Sequence, residues 1–301
     1  MTSDITRREA LRRAATTAAA ATLAGGAGIT ALLPTEASAA ASPSTAASFK
    51  HSVCRWPYGK MTVDELSQMA RELGLHSVEL LEPAEWAIAR RHGLTCAMGY
   101  ATVPEPGTRL TRGFNRVENH AWLIPAYERA LPLAAAAGVP NLICFSGNRD
   151  GLSDEQGLDA CARGLAALMP SAERHGVGIC MELLNSKVDH PDYQCDRTPW
   201  GVALAKKVGS DRFTLLYDIY HMQIMEGDVI RTIRDNSKYI GHYHTAGVPG
   251  RHEIDSTQEL YYPAIARAIA ETGFKGYVAQ EFIPTKDPRT ALAEAVKLCT
   301  V

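Results

Sequence analysis

The sequence predicts a single (β/α)8 barrel preceded by a cleavable N-terminal signal segment. Three observations carry that expectation: eight short apolar runs recur from residue 49 onward, segments with helical spacing separate them, and several of those segments stop at a glycine. At 301 residues, 46% hydrophobic and 21% charged, the chain can bury one large core, and barrels of this kind commonly use about 250 residues in one domain.

The apolar runs occupy 49–54, 77–81, 95–100, 141–145, 178–184, 213–219, 239–245 and 276–282. Between them lie patterns such as Val63-Leu66-Met69-Ala70-Leu73, Ala162-Leu165-Leu168-Met169 and Ile265-Ala268-Ile269, whose apolar residues fall on one face of a helix. Gly74, Gly138, Gly176 and Gly273 stand where helices prefer to end. Strand, helix and glycine repeated eight times imply a parallel sheet with its helices outside, and eight repeats favour a closed barrel over an open sheet. No glycine-rich dinucleotide fingerprint follows the first run, which disfavours the open alternative further.

The first forty residues are of another kind. Thr6-Arg7-Arg8 precedes a weakly hydrophobic stretch from Ala14 to Leu33, followed by Pro34 and the small-x-small pattern Ala37-Ser38-Ala39. Basic residues, an apolar run and a cleavage pattern in that order resemble a twin-arginine signal, so the chain is expected to be exported to a periplasmic or secreted location. The expected organisation is a signal peptide at 1–39, a disordered linker at 40–48 and a catalytic barrel at 49–301. The apolar stretch is too rich in Ala and Gly to hold well in a bilayer, and the mature form is expected to carry no stable membrane anchor. Seven cysteines in an exported chain invite disulfides, yet the number is odd and a chain of this length needs no staples. Cys54, Cys96, Cys144 and Cys180 fall in or beside apolar runs, and buried free thiols are the expectation.

Charge narrows the partners. Lys plus Arg number 31 against 33 for Asp plus Glu; removal of residues 1–39 takes four Arg and three acidic residues and leaves 27 against 30. No basic field favours nucleic acid, so a small neutral or anionic molecule is the expected ligand, and a homo-oligomer is left open.

In a barrel of this class catalytic groups sit at the carboxyl ends of strands. Glu182 lies near the end of the fifth run (ICMELLN), Asp218 at the end of the sixth (LLYDIYH), His244 at the end of the seventh (IGHYHTA) and Glu281 near the end of the eighth (VAQEF), at intervals of 36, 26 and 37 residues. Four successive strands thus aim three carboxylates and one imidazole at one point. Unpaired, such carboxylates repel and one takes up a proton, whereas a divalent cation removes the conflict. Oxygen-rich ligation with one nitrogen suits Mn²⁺ or Mg²⁺, with Co²⁺ a further candidate.

The set MELLN, YDIYHMQ, GHYH and QEF, with HTAGVPGRHEI at 244–254, resembles the xylose-isomerase-like TIM-barrel superfamily, and most closely its hydroxypyruvate isomerase branch, from about Phe49 to the C-terminus. The resemblance implies one divalent ion on Glu182, Asp218, His244 and Glu281, with Glu182 and Glu281 also handling substrate protons. The implied reaction interconverts an α-hydroxy ketone and an aldehyde through an enediolate, as hydroxypyruvate to tartronate semialdehyde. His221, three residues beyond Asp218, and Arg251, in the loop after the seventh strand, are the expected substrate contacts, Arg251 as a bidentate partner for a carboxylate. Arg251 alternatively pairs with Glu253 or Asp255, and His242 is expected one layer below His244 as a structural residue.

Weaker candidates are Trp56, Tyr58 and Trp86 as pocket walls, Lys187, His190 and Asp192 as loop contacts, and 107–119 as a lid. The same site would serve a ketose 3-epimerase or a keto-sugar lyase, and an exported sugar-binding barrel is the alternative outside enzymes. A repair nuclease would need further metal ligands and a basic groove, which the sequence does not show.

Overall fold

A computed structural model of the chain describes residues 49–301. The expected signal segment and linker at 1–48 lie outside the described residues. Eight parallel strands form one sheet: β1 (Lys50–Cys54), β2 (Ser77–Glu79), β3 (Met98–Gly99), β4 (Asn141–Cys144), β5 (Gly178–Glu182), β6 (Phe213–Asp218), β7 (Ile240–Thr245) and β8 (Tyr277–Gln280). Their order runs β2-β1-β8-β7-β6-β5-β4-β3. The remaining seam, between β2 and β3, is joined by single parallel bridges at Ser77–Thr95 and Leu81–Gly99, with Leu80 N–H donating to the Met98 carbonyl at 2.7 Å. The sheet therefore closes, and the predicted (β/α)8 barrel is the fold.

The helices follow from their caps and apolar faces. Helix α1 (Val63–Glu72) opens on a reciprocal capping box between Thr62 and Glu65 and buries Val63, Leu66, Met69 and Ala70. Three helices follow: α2 (Trp86–Arg91), α3 (Val117–Ala137) and α4 (Asp154–His175), the last capped by Ser153 and Gln156. Gly138 and Gly176 end α3 and α4 at φ values of 71° and 68°, a conformation that other residues adopt at a cost. Helix α5 (Thr198–Val208) crosses from β5 to β6, and α6 (Ile219–Met225) and α7 (Val229–Asn236) cross from β6 to β7. Helices α8 (Tyr262–Glu271) and α9 (Pro288–Cys299) complete the ring.

Within the barrel the strands are buried almost throughout. A register irregularity between β6 and β7 takes Gly241 out of the pairing: Leu215 stands opposite Ile240, but Leu216 stands opposite His242. Past that point Asp218 is opposite His244. All seven cysteines are buried and free, as the sequence led us to expect. No helix among the described residues is long and apolar enough to cross a membrane.

Candidate active site and metal centre

Each ligand candidate is delivered by the end of its strand. Glu182 is the last residue of β5, Asp218 of β6, and His244 the fifth of six in β7; Glu281 follows β8 directly, its N–H donating to the Thr245 carbonyl at 2.9 Å. One donor atom from each of Glu182, Asp218, His244 and Glu281 lies within 4.8 Å of the others, and all four residues are buried. The structure thus brings together the whole set read from the strand ends.

Their hydrogen bonding shows what the cluster lacks. Glu182 Oε1, Asp218 Oδ2 and His244 Nδ1 are buried without a hydrogen-bond partner among the described residues. His244 Nδ1 stands 3.1 Å from Glu281 Oε2 and 3.5 Å from Glu182 Oε1. Three unsatisfied polar atoms converging at this depth are costly unless something cationic lies between them. Burial, reinforced by Glu281, holds the Asp218 carboxyl well above the usual range, and burial likewise raises Glu182. Glu281 is also buried, but His244 and Arg251 outweigh that and hold it well below the usual range. Three oxygens and one nitrogen at such distances could hold one divalent ion, which would displace those protons.

Asp218 has a second task that explains the spacing to His221. Its Oδ1 accepts the His221 N–H at 3.1 Å and so caps α6, which returns the His221 ring to the site with Nε2 3.6 Å from Asp218 Oδ2. Asn185 sets the state of that ring. Its Oδ1 accepts the N–H groups of Val188 and Asp189, so its Nδ2 donates to His221 Nδ1 at 2.7 Å. The neutral ring then carries its proton on Nε2, facing the cluster. Burial and the nearby Arg251 keep His221 well below the usual imidazole range, which favours that neutral form.

Arg251 does not pair with Glu253 or Asp255. Its Nη2 donates to Glu281 Oε2 at 2.6 Å and lies 3.5 Å from Asp218 Oδ2, while its guanidinium stacks 4.9 Å from the Trp56 ring centre and 5.3 Å from that of Tyr220. Trp56 Nε1 donates to Glu281 Oε1 at 2.8 Å, so both oxygens of Glu281 are engaged. Above the cluster opens a cavity of about 430 Å³, whose lining includes Trp56, Tyr100, Arg109, Glu182, His190 and Glu281. Arg109 lies over the Tyr100 ring at 4.0 Å and donates to Glu82 at 2.7 Å.

Several weaker candidates are sorted by this geometry. Trp56 walls the cavity, but Trp86 is buried against the sheet with Nε1 donating to the Leu81 carbonyl, and Tyr58 is buried away from the lining. His190 lines the cavity, whereas Lys187 binds the Ile224 and Met225 carbonyls and Asp192 accepts the Asp150 N–H. Within 107–119, Gly107, Arg109 and Leu110 form part of the cavity wall. Sequence reasoning missed Glu79 and Arg109. The signal for Glu79 was present in SVELL, a carboxylate inside an apolar run as in the ligand strands; Arg109, in a loop, offered none.

A family model described as xylose isomerase-like TIM barrel matches residues 39–300. The chain belongs to that family. It is 29% identical over 242 residues to the putative hydroxypyruvate isomerase of Homo sapiens, covering 77% of this chain and 78% of that one. It is 31% identical over 219 residues to the 2-oxo-tetronate isomerase of Cupriavidus necator, covering 70% and 83%. Among solved structures, an AP endonuclease family 2 protein from Brucella melitensis superposes with a TM-score of 0.74 at 24% identity over 83% of this chain and 99% of that one, which bears on the fold alone. The relatives named isomerases support isomerase activity for this member.

Proposed function

We propose that the protein is a divalent-metal-dependent isomerase that interconverts an α-hydroxy ketone and an aldehyde through an enediolate, acting on a small hydroxy-carbonyl acid of the hydroxypyruvate type. The observation that carries this reading is the convergence of Glu182, Asp218, His244 and Glu281, with three of their atoms unpartnered among the described residues, at the floor of a cavity that also holds guanidinium groups. The names of the relatives support the same class.

These four residues would hold the ion, Mn²⁺ or Mg²⁺ by the hardness of the ligand set, and the ion would polarise the carbonyl and stabilise developing enediolate charge. Glu182 and Glu281 then handle the proton: it leaves the hydroxymethyl carbon for one carboxylate and returns to the neighbouring carbon, while the hydroxyl proton passes between the two oxygens. A positioned acid or base of this kind contributes about 10²–10⁴-fold in rate. His221 presents Nε2–H as a donor to a substrate oxygen, and Arg251 offers its guanidinium to a carboxylate. Trp56 and Tyr100 keep water from the carbanionic intermediate.

The cavity leaves room beside a three-carbon acid, and that volume favours a second reading in which a longer ketose is epimerised at carbon 3 by the same carboxylates. Incubating metal-loaded protein with hydroxypyruvate and a panel of ketoses in heavy water separates the two. Deuterium in tartronate semialdehyde supports the first reading and deuterium at carbon 3 of a ketose the second, while exchange with none of the compounds rejects both. The arginine pair at Arg7-Arg8, the apolar run and Ala37-Ser38-Ala39 support export by the twin-arginine route, which processing of the precursor in cells would test.

A further inference from the structure

Directly beneath the four ligands, inside the barrel, a fourth carboxylate is completely buried. Glu79 ends β2, opposite Cys54 of β1. Its Oε1 lies 2.7 Å from His242 Nε2 and 2.9 Å from His244 Nε2, and its Oε2 accepts the Ser52 hydroxyl at 2.5 Å. Residues of β1, β2 and β7 thus meet around one carboxylate inside the barrel.

One oxygen of Glu79, Oε1, lies within hydrogen-bonding distance of both Nε2 atoms, and an oxygen shared in this way is the common acceptor of two ring N–H groups. Each imidazole nitrogen that faces it must therefore carry hydrogen. For a neutral His244 this leaves a lone pair on Nδ1, the atom that points into the ligand cluster and has no hydrogen-bond partner among the described residues. We propose that Glu79 is a positioning residue for the metal centre: it holds His244 as the Nε2–H tautomer, aims the Nδ1 lone pair at the ion, and raises the basicity of that ligand. Second partners of metal-bound histidines act in this way, and their loss commonly weakens metal binding by about 10–100-fold.

The inference rests on the metal reading given above. It differs from a purely structural role for the Glu79–His242–His244 group, which would lower stability without touching metal affinity. Two measurements on the full-length protein decide it: Mn²⁺ titration of wild type and Glu79→Gln, monitored by electron paramagnetic resonance, and ¹⁵N spectroscopy of the histidine side chains in Mg²⁺-loaded wild type. The expected results are a Kd for Mn²⁺ raised at least tenfold in E79Q, and a neutral His244 protonated on Nε2. Equal affinity in the two proteins, or a His244 protonated on Nδ1, overturns the inference while leaving the metal reading intact. Wild type that binds no Mn²⁺ overturns both. Should E79Q fail to fold, the wild-type ¹⁵N signature decides alone.

Discussion

The half of the barrel from β5 to β8 and the half from β1 to β4 contribute to the site in different ways. Strands β5, β6 and β7 are five or six residues long and pair along their lengths apart from the irregularity at Gly241, and β5–β8 deliver Glu182, Asp218, His244 and Glu281 from consecutive strand ends. Strands β2 and β3 have three and two residues and meet through isolated bridges, and their half supplies Trp56, Tyr100, Arg109 and the buried Glu79. A metal centre needs donors fixed to a few tenths of an ångström, which registered backbone provides. A substrate wall needs only shape and charge, which loops provide, so the short strands are tolerated where the loops do the recognising.

The sharpest way to break this comparison is to change a donor in the ligand half. Glu182→Gln is expected to lower kcat by about 10²–10⁴-fold, the usual contribution of a positioned acid or base, and to weaken Mn²⁺ binding as well. Steady-state kinetics and metal titration on one preparation check both effects. Turnover near wild type would remove Glu182 from the chemistry.

A pH change probes the floor of the other half. His51, on β1, is buried with Nε2 3.2 Å from the Thr300 hydroxyl and Nδ1 unpartnered among the described residues. Burial, helped by the nearby His76, lowers its pKa to about 4. The folded chain therefore keeps His51 neutral between about pH 6.5 and pH 4, while the unfolded chain protonates it. Stability is full above pH 6.5 and is lost as the pH falls toward 4, by on the order of 3 kcal/mol from this group. Urea unfolding of wild type and His51→Gln at several pH values measures the difference, and parallel pH profiles for the two would show that His51 does not cause it.

Packing in the short-strand half is the next lever. Gly99 of β3 lies under Trp86, and a Cβ at that position would stand 2.9 Å from Trp86 Cζ2. The indole cannot swing away freely, because Nε1 donates to the Leu81 carbonyl. Gly99→Ala should cost about 1–3 kcal/mol by overpacking, or roughly 2–4 °C of Tm per kcal/mol. Mn²⁺ affinity should hold, since the four proposed ligands ride on other strands. A matching loss of metal binding would mean that the two halves are mechanically coupled.

The same asymmetry explains what could be read in the sequence. Glu182, Asp218, His244 and Glu281 were legible because a charged residue at the end of an apolar run has few explanations in a barrel, and four such residues one strand-and-helix unit apart have fewer. Glu79 carries the same signature within Ser77–Leu81, but its imidazole partners His242 and His244 lie on β7, beyond β1 and β8 in the sheet, and only the closed barrel reveals them. The run at 77–81 also exceeds the strand it forms: Leu80 takes a φ of 58°, which ends regular pairing at Glu79. The roles of Trp56 and Trp86 could not be separated in the sequence, because aromatic residues after a strand look alike whether they face the cavity or the sheet.

Arg109 provides the finest test, because it separates recognition from metal binding within the cavity. Arg251 is already engaged by Glu281 and Asp218, so a substrate carboxylate competes there with two anions fixed by the protein. Among the described residues Arg109 donates to a single carboxylate, Glu82, and stacking on Tyr100 holds its charge at the cavity wall. A guanidinium already oriented by an aromatic face loses little entropy when it takes up an anion. Arg109→Gln is therefore expected to raise KM for a carboxylate-bearing substrate by roughly tenfold or less, the scale of one charge-assisted hydrogen bond at a partly solvated site, with kcat and Mn²⁺ affinity nearly unchanged. For a neutral ketose the same substitution should leave KM where it was. A variant that discriminates between the two substrates assigns Arg109 to carboxylate recognition; one that impairs both equally makes it a wall residue only.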